Sequence, residues 1–204
     1  MDRSEVTELH SIQPIRTVPS ILQLGILSHV RAARVDHDDI AMGEIQAVRA
    51  AKSVPGPGGR PLHEYANLYF HARNPMMSKR RSQHAEICVV RVDPAVLDSP
   101  GAIVTDQNAA SDYARFAPAA TGLAIVDVHA TMARDWRDPN QIAYWRKKSR
   151  KLAEVLVPNL IQPSLIMGAY VSGDVGRAAL SQAAGVLPLV VEPDLFFAAD
   201  EGEV

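Results

Sequence analysis

Short apolar runs alternate with short amphipathic segments along this chain, in an irregular order. Runs rich in β-branched and other apolar residues predict strands. The predicted strands are Leu9–Ile15, Tyr65–Phe70, Glu86–Val92, Ala102–Thr105, Gly122–Val128, Leu152–Val157, Ser164–Val171 and Val186–Val191. Helical spacing of apolar positions predicts helices over Pro19–Leu24, Asp38–Lys52, Asn108–Phe116, Gln141–Arg150 and Gly173–Ala184. Because no regular strand–helix–strand rhythm emerges, the pattern indicates an α+β fold.

The composition suits one globular domain. The 204 residues are 47% hydrophobic, which predicts a single domain over 1–204 with an acidic tail at about 192–204. The longest apolar runs, such as Leu165–Val171, are far shorter than the roughly 20 residues of a membrane span. No export signal is apparent at the start, and Cys88 is the only cysteine. We therefore expect a cytoplasmic protein without membrane association, disulfides or a cysteine-based zinc site.

The net charge of −2 conceals an uneven distribution. Five acids and no base lie in residues 192–204, which leaves 21 bases and 18 acids in the rest of the chain. The bases cluster at Lys79–Arg81 and at Arg146–Lys151, directly after Tyr144 and Trp145. A basic run beside aromatic residues is typical of a surface that binds single-stranded nucleic acid, with phosphates on the cations and bases on the rings. A solvated helix face explains the same pattern.

Three other features are weak candidates for chemistry. The loop Gly56–Gly59 does not open a helix and has no Gly-Lys-Ser/Thr, so it fits neither nucleotide-binding fingerprint. The run Asp36–Asp39 has metal-ligand residue types but not their spacing, and it is explained by a helix cap. Cys88 lies within an apolar strand, which favours a core residue over a nucleophile.

Three polar residues at apolar positions are stronger candidates. Glu154 interrupts the strand Leu152–Val157, so it is either a carboxylate facing a cleft, where it stabilises positive charge, or an edge-strand charge facing water. Arg49 lies among small residues near the end of a helix, where a guanidinium can reach a pyrophosphate or simply face solvent. His10 lies in the first strand, as a ligand donor or a structural histidine.

Six segments in a fixed order carry a resemblance to a known family. They are Leu9-His10, Pro19–Ser28, Glu44–Ala50 with Val54-Pro55, Leu62–Phe70 with Arg73–Met76, Val104–Ala110, and Arg150–Pro158. Over about residues 9–172 the chain resembles the DarT family, the toxin half of DarT–DarG toxin–antitoxin systems, whose members transfer ADP-ribose from NAD to DNA. The resemblance implies an ADP-ribosyltransferase-like split β-core of two small sheets with surrounding helices.

The resemblance also implies residue roles. It places the catalytic residues at Arg49 and Glu154; where the family often has two arginines, this chain has Val48 and Arg49. It places the NAD contacts at His10, Ile12, Ser20, Ser28 and Arg49. NAD is then a co-substrate, and no metal is expected. Arginine is a poor base at its normal pKa, so Arg49 either needs help to accept a proton or acts electrostatically.

The implied acceptor is a thymine or guanine base on single-stranded DNA, and the implied partner is a DarG-like macrodomain antitoxin. Charge and resemblance together predict DNA contacts at Tyr144, Trp145, Arg146, Lys147, Lys148 and Arg150. Two alternatives remain open at this point: an ADP-ribosyltransferase acting on RNA or protein, and a catalytically silent nucleic-acid-binding protein.

Overall fold

A computed structural model describes residues 1–35, 43–56 and 59–198. The strands in these ranges are β1 (Leu9–Pro14), β2 (Ile26–Leu27), β3 (Tyr65–Tyr69), β4 (Ile87–Val92), β5 (Ile103–Thr105), β6 (Phe116–Pro118), β7 (Glu154–Pro158), β8 (Leu160–Ile161), β9 (Ile166–Val171) and β10 (Leu189–Val191). The α-helices are α1 (Val18–Leu24), α2 (His29–Ala32), α3 (Gly43–Ala50), α4 (Pro75–Lys79), α5 (Ala119–Gly122), α6 (Val128–Met132), α7 (Gln141–Arg150) and α8 (Asp174–Ala184). Short 3₁₀ turns link many of them.

The main sheet is made of two four-stranded halves that meet at one pair of residues. Its strand order is β10-β9-β4-β1-β3-β7-β5-β6, and β2 and β8 form a separate two-stranded sheet. Within the first half β1 pairs with β4 over six residue pairs, from Leu9–Val92 to Pro14–Ile87. Between the halves, β1 and β3 are in register only at His10 and Tyr69. This confirms the predicted α+β fold with a split β-core.

The two faces of the sheet are packed differently. On one face a single large apolar cluster runs beneath both halves and includes Val90 and Val157. On the other face the apolar side chains form two separate clusters: Ile12 and Val89 belong to one, and Leu156 belongs to the other. Because side chains alternate along a strand, His10 shares its face with Ile12, and Glu154 shares its face with Leu156. His10 and Glu154 therefore lie on the face where the apolar side chains do not form one continuous cluster.

Most predicted elements are confirmed with small shifts at their ends. The predicted helix Gln141–Arg150 has the same bounds as α7. The predicted strand Leu152–Val157 begins at Glu154 instead, and Ser164–Val171 divides into a 3₁₀ turn and β9. Helix α3 lies within the predicted Asp38–Lys52, and the expected metal-like or capping run Asp36–Asp39 lies outside the described residues.

Two predicted elements are wrong. The segment Asn108–Phe116 is not a helix: Asn108 and Asp106 satisfy nearby backbone N–H groups with their side chains, and Phe116 begins β6. Local hydrogen bonds of this kind compete with helix formation. The segment Gly122–Val128 is not a strand, because a 3₁₀ turn covers Leu123–Ile125 and Asp127 caps helix α6.

The helices of the described residues are short, and none is long and apolar enough to cross a membrane. Cys88 is a buried core residue of β4, as expected, and burial raises the pKa of its thiol to about 12.

Candidate active site

A row of three polar side chains crosses the junction between the two halves of the sheet. His10 on β1 is in register with Tyr69 on β3, and Tyr69 is in register with Glu154 on β7. Residues in register project from the same face, and neighbouring strands lie about 4.8 Å apart. His10 and Glu154 therefore flank Tyr69 at a separation of roughly two strand spacings. Tyr69 was not among the predicted site residues, because only its register with His10 and Glu154 distinguishes it from an ordinary strand tyrosine.

Arg49 covers one end of this row and is paired with Glu154. Its Nη1 donates to Glu154 Oε2 at 3.0 Å and to Oε1 at 3.3 Å. The side chains of Arg49 and Glu154 are 8% and 1% exposed, so neither faces water, and β7 is an internal strand. The solvent-facing interpretations of both residues are therefore wrong. Helix α3 brings Arg49 to the sheet.

Further donors fix the position of Glu154. The backbone N–H of Ala109 donates to Glu154 Oε1 at 3.2 Å. The backbone N–H of Glu154 donates to Thr105 Oγ1 at 3.1 Å. Strand β5 and the loop after it therefore support the carboxylate from the side opposite Tyr69. A buried carboxylate with several donors is ready to interact with a developing positive charge without moving.

The charges around Arg49 decide which chemical role is open to it. Burial alone would lower the pKa of Arg49, but the charge of Glu154 and its hydrogen bond to Arg49 outweigh that effect and raise it. Burial, followed by the nearby charge of Glu154, raises the pKa of Tyr69. Arg49 therefore remains a guanidinium cation and Tyr69 remains a neutral phenol at neutral pH. A side chain in this state can act through its charge but has no free lone pair with which to accept a proton.

His10 is held from the other side by the partly buried carboxylate of Glu8. Its Nε2 lies 2.8 Å from Glu8 Oε1, and Glu8 also accepts from Tyr170 Oη and Arg91 Nε, each at 2.7 Å. Burial opposes the charge on Glu8, but the hydrogen bonds from His10, Tyr170 and Arg91 prevail and lower its pKa to about 2. His10 Nδ1 is buried and has no hydrogen-bond partner among the described residues. His10 and Glu8 both line a cavity of about 370 Å³.

The other expected NAD contacts are more dispersed. Ser28 follows β2 at the start of α2, and its buried Oγ has no hydrogen-bond partner in the described part of the chain. Ser20 on α1 lines a second cavity, of about 280 Å³, together with Gln13 and Arg16. The side chain of Ile12 packs in an apolar cluster with Met77 and Phe196. The structure thus joins Arg49 to Glu154 and aligns His10 with them, but it places Ser20 at a separate cavity.

Helix α7 exposes some, but not all, of the residues predicted to contact nucleic acid. Trp145 is 60% exposed, and Lys148 Nζ lies 5.5 Å from the centre of the half-buried Tyr144 ring. Arg146 is exposed and lines a groove of about 740 Å³ with Trp136 and Ile142.

The remaining bases of this helix are engaged. Lys147 pairs with Asp138 at 2.8 Å and Arg150 pairs with Asp127 at 3.4 Å. Lys79 ends helix α4, and Arg80 bonds Gln83 just beyond it.

One base of the predicted basic run is not on the surface. Lys151 is completely buried, and its Nζ donates to Thr131 O at 2.8 Å and to His71 Nδ1 at 3.0 Å. Burial, together with the charge of Arg73, lowers the pKa of Lys151 to about 7. Burial and the charge of Lys151 lower the pKa of His71 to about 4. The expectation that Lys151 contacts phosphate is therefore wrong, because its side chain turns into the core after the last turn of α7.

Comparison with known proteins defines the class and then the family. A family model described as "ssDNA thymidine ADP-ribosyltransferase, DarT" matches residues 10–197. The sequence therefore matches a family of nucleotide-modifying enzymes. The same chain has a split sheet with a buried arginine–glutamate pair. The chain belongs to the DarT family.

Two relatives are informative. A DNA ADP-ribosyl transferase–DNA ADP-ribosyl glycohydrolase fusion protein of Thermosipho africanus (strain H17ap60334) is 30% identical over 199 residues, which are 93% of this chain and 49% of that protein. The chain therefore spans about half the length of this curated relative. The structure of Thermosipho africanus DarTG with ADP-ribose matches with a TM-score of 0.81 and 28% identity, over 94% of this chain and 51% of that one. Thermus sp. 2.9 DarT, solved with ADP-ribosylated ssDNA, matches with a TM-score of 0.80 and 26% identity, over 94% and 97% of the two chains.

Proposed function

We propose that this chain is an NAD-dependent mono-ADP-ribosyltransferase that modifies a base, thymine or guanine, on single-stranded DNA. The observation that carries the proposal is the buried Arg49–Glu154 pair at the split of the sheet, in a member of the DarT family. The name of the matched family favours thymine over guanine. Residues 1–204 act as a single domain in this proposal.

NAD fits the chemistry of this cleft as a co-substrate. His10 Nδ1 and Ser28 Oγ are buried polar atoms without partners among the described residues, and such atoms are costly unless a ligand or water satisfies them. Both residues are expected NAD contacts from the family resemblance. In addition, Arg49 supplies a permanent cation for the pyrophosphate. The proposed contacts at Ile12 and Ser20 lack this kind of support, because Ile12 packs in an apolar cluster and Ser20 lines the separate cavity of about 280 Å³.

Glu154 has the central role in the proposed reaction. The bond between the nicotinamide nitrogen and the ribose C1′ breaks, and the nicotinamide leaves with the bonding electrons. Glu154 then stabilises the positive charge that develops on the ribose. The acceptor base forms a new bond to C1′ and releases one proton to water. Arg49 orients the co-substrate and the acceptor through charge, while the raised pKa keeps it protonated throughout.

Helix α7 is the proposed DNA contact. Arg146 and Lys148 would bind phosphates, and Trp145 would stack on a base, with Tyr144 beneath Lys148. Lys147 and Arg150 contribute once their surface pairs with Asp138 and Asp127 exchange for phosphate. A single strand suits this arrangement, since a base within a duplex must first be flipped out.

The biological setting follows from the fused relative. We propose that the chain is the toxin of a toxin–antitoxin pair and that its partner is a DarG-like macrodomain that removes ADP-ribose. Support comes from the Thermosipho protein, which joins a DNA ADP-ribosyl transferase to a DNA ADP-ribosyl glycohydrolase. The reaction would take place in the cytoplasm, where NAD and DNA are both accessible.

Mass spectrometry of oligonucleotides tests the proposal directly. Purified protein is incubated with NAD and a pool of single-stranded DNA, with Glu154→Gln as the matched control. An added ADP-ribose mass on DNA with the wild-type protein alone supports the proposal, and fragmentation identifies the base. Labelled RNA or protein in place of DNA would favour a transferase of the same fold with another acceptor. If neither an adduct nor a loss of NAD is detected, the remaining alternative is a catalytically silent nucleic-acid-binding protein.

A further inference from the structure

Glu8 connects three strands through one carboxylate just before β1. His10 is on β1 itself, Arg91 on β4 is in register with His10, and Tyr170 on β9 is in register with Val89 of β4. All three donate to Glu8 at 2.7–2.8 Å, and the Glu8 side chain is 14% exposed. The Arg91 guanidinium also lies 4.9 Å above the Tyr170 ring. This arrangement leaves Glu8 little freedom to move.

The hydrogen bond to Glu8 determines which nitrogen of His10 carries the proton. An ionised carboxylate only accepts hydrogen bonds, so the Nε2 that faces it must be protonated. In the neutral ring Nδ1 is then an acceptor, because one ring nitrogen donates and the other accepts. His10 Nδ1 is buried and has no partner among the described residues. A buried acceptor without a partner lowers the stability of the folded state unless a donor forms a hydrogen bond to it.

We propose that Glu8 is a positioning residue that holds the neutral His10 ring with its proton on Nε2, so that Nδ1 accepts a hydrogen bond from the nucleotide co-substrate. The donor is a ribose hydroxyl or an amide N–H, and NAD carries both. The cavity of about 370 Å³ lined by His10 gives such a group access to this side of the sheet. This inference rests on the proposed function, because it assumes that the ligand is NAD.

Nitrogen-15 NMR of the full chain reads the tautomer without using activity. Spectra of labelled protein at pH 8 are recorded first without ligand and then with NAD. The wild-type protein is expected to show a protonated Nε2 and an unprotonated Nδ1 at His10. Addition of NAD is expected to shift the Nδ1 resonance towards that of a hydrogen-bonded nitrogen. His10→Ala assigns the signals.

Two substitutions of Glu8 separate positioning from a purely structural role. In Glu8→Gln the amide oxygen still accepts from Nε2–H, while the ion pair with Arg91 is lost. In Glu8→Ala both are lost. We expect Glu8→Gln to keep the wild-type tautomer and most of the NAD affinity. We expect Glu8→Ala to populate both tautomers and to weaken NAD binding about five- to tenfold, the range expected for one net hydrogen bond.

A matched control is available in the same cavity. Glu5 is an exposed carboxylate that also lines it, and it accepts from the backbone N–H of Asp2 rather than from His10. Glu5→Gln should leave the tautomer of His10 unchanged, because Glu5 does not contact the His10 ring.

Four results would overturn the inference. A proton on Nδ1 in the wild-type protein contradicts the tautomer, and an unchanged tautomer in Glu8→Ala contradicts the positioning role of Glu8. NAD binding that leaves the Nδ1 resonance in place contradicts the ligand contact. Failure of NAD to bind the wild-type protein would overturn both the proposed function and this contact. The tautomer result would still stand in that case, because it is measured before NAD is added.

Discussion

The guanidinium of Arg49 lies 3.0 Å from the carboxylate of Glu154, and 105 positions of sequence separate the two residues. Both side chains are almost completely buried, so each charge depends on the other. Removing one member of a buried pair leaves an uncompensated charge, which typically costs about 3–5 kcal/mol. Replacing both members removes that penalty.

This pair allows activity to be separated from stability. We expect Arg49→Met and Glu154→Gln each to lower the free energy of unfolding by about 3 kcal/mol, and the double variant to recover most of the loss. All three should lose DNA modification by at least about a hundredfold, because the stabilising charges are missing. Denaturant unfolding and oligonucleotide mass spectrometry measure the two effects. Additive destabilisation in the double variant would contradict the mutual dependence of the two charges.

Arg146 and Lys148 of helix α7 should control the salt dependence of DNA binding. We expect Arg146→Glu combined with Lys148→Glu to weaken binding to a single-stranded oligonucleotide and to flatten the dependence of affinity on salt. The slope of log K against log salt should fall by about 0.7 for each phosphate that the variant no longer neutralises. Fluorescence anisotropy at several salt concentrations measures this.

The control for that experiment is Arg177→Glu. Arg177 is also exposed and lies on a helix, but that helix is α8, where the arginine pairs with Asp174. An equal loss of DNA affinity in the control would show that total charge, rather than the face of α7, governs binding.

Trp145 should contribute through its ring rather than through the fold. Its side chain is 60% exposed, so Trp145→Ala should leave thermal stability nearly unchanged. Without the stacked ring, binding of single-stranded DNA should weaken by about 1–3 kcal/mol, whereas Trp145→Phe should restore part of the affinity. Calorimetric titration of both variants provides the measurement. Equal affinity in the alanine variant and the wild-type protein would remove this residue from the DNA interface.

Lys151 should make the stability of the protein depend on pH. Its pKa is about 7 in the folded state against a usual 10.5, so between these values the unfolded chain binds more protons than the folded one. The free energy of unfolding should therefore rise as the pH increases from 7 to 10.5, by about 1.4 kcal/mol for each pH unit at most. Below pH 7 both states are protonated and this contribution no longer changes.

Lys151→Met tests this by removing the titrating group. Denaturant unfolding of the variant between pH 7 and 10 should show a smaller rise in stability than that of the wild-type protein. Lys79→Met, at an exposed position, is the comparison and should preserve the wild-type slope. A rise of the same size in Lys151→Met would assign the dependence to another group.

Local sequence signals predicted much of the fold. Helix α7 has an asparagine cap and no helix breaker, so its bounds could be read directly. The segments around Asn108 and Gly122 could not be read in this way. There, side chains of Asn108, Asp106 and Asp127 accept hydrogen bonds from nearby backbone N–H groups, and the pattern of apolar positions does not reveal these local bonds.

The site was predictable only where a polar residue broke an apolar pattern. Glu154, Arg49 and His10 stood out for this reason, and the family resemblance then assigned them roles. Tyr69 did not stand out, because a tyrosine is ordinary at the end of a strand and only the register with His10 and Glu154 gives it meaning. Lys151 was misassigned because its sequence neighbours are exposed bases, while its own side chain reaches Thr131 and His71.

The chain passes repeatedly between the two halves of the split sheet. Strand β1 lies in the first half, β3 in the second, β4 in the first, β5 to β7 in the second, and β9 and β10 in the first again. A ribosome that makes this protein therefore releases Arg49 and Tyr69 long before Glu154, and the last strands of the first half come later still. The buried ion pair can form only when about three quarters of the chain has emerged. A chain that ends before residue 154 lacks Glu154 and cannot form this buried pair, so it would have no transferase activity in the proposed mechanism.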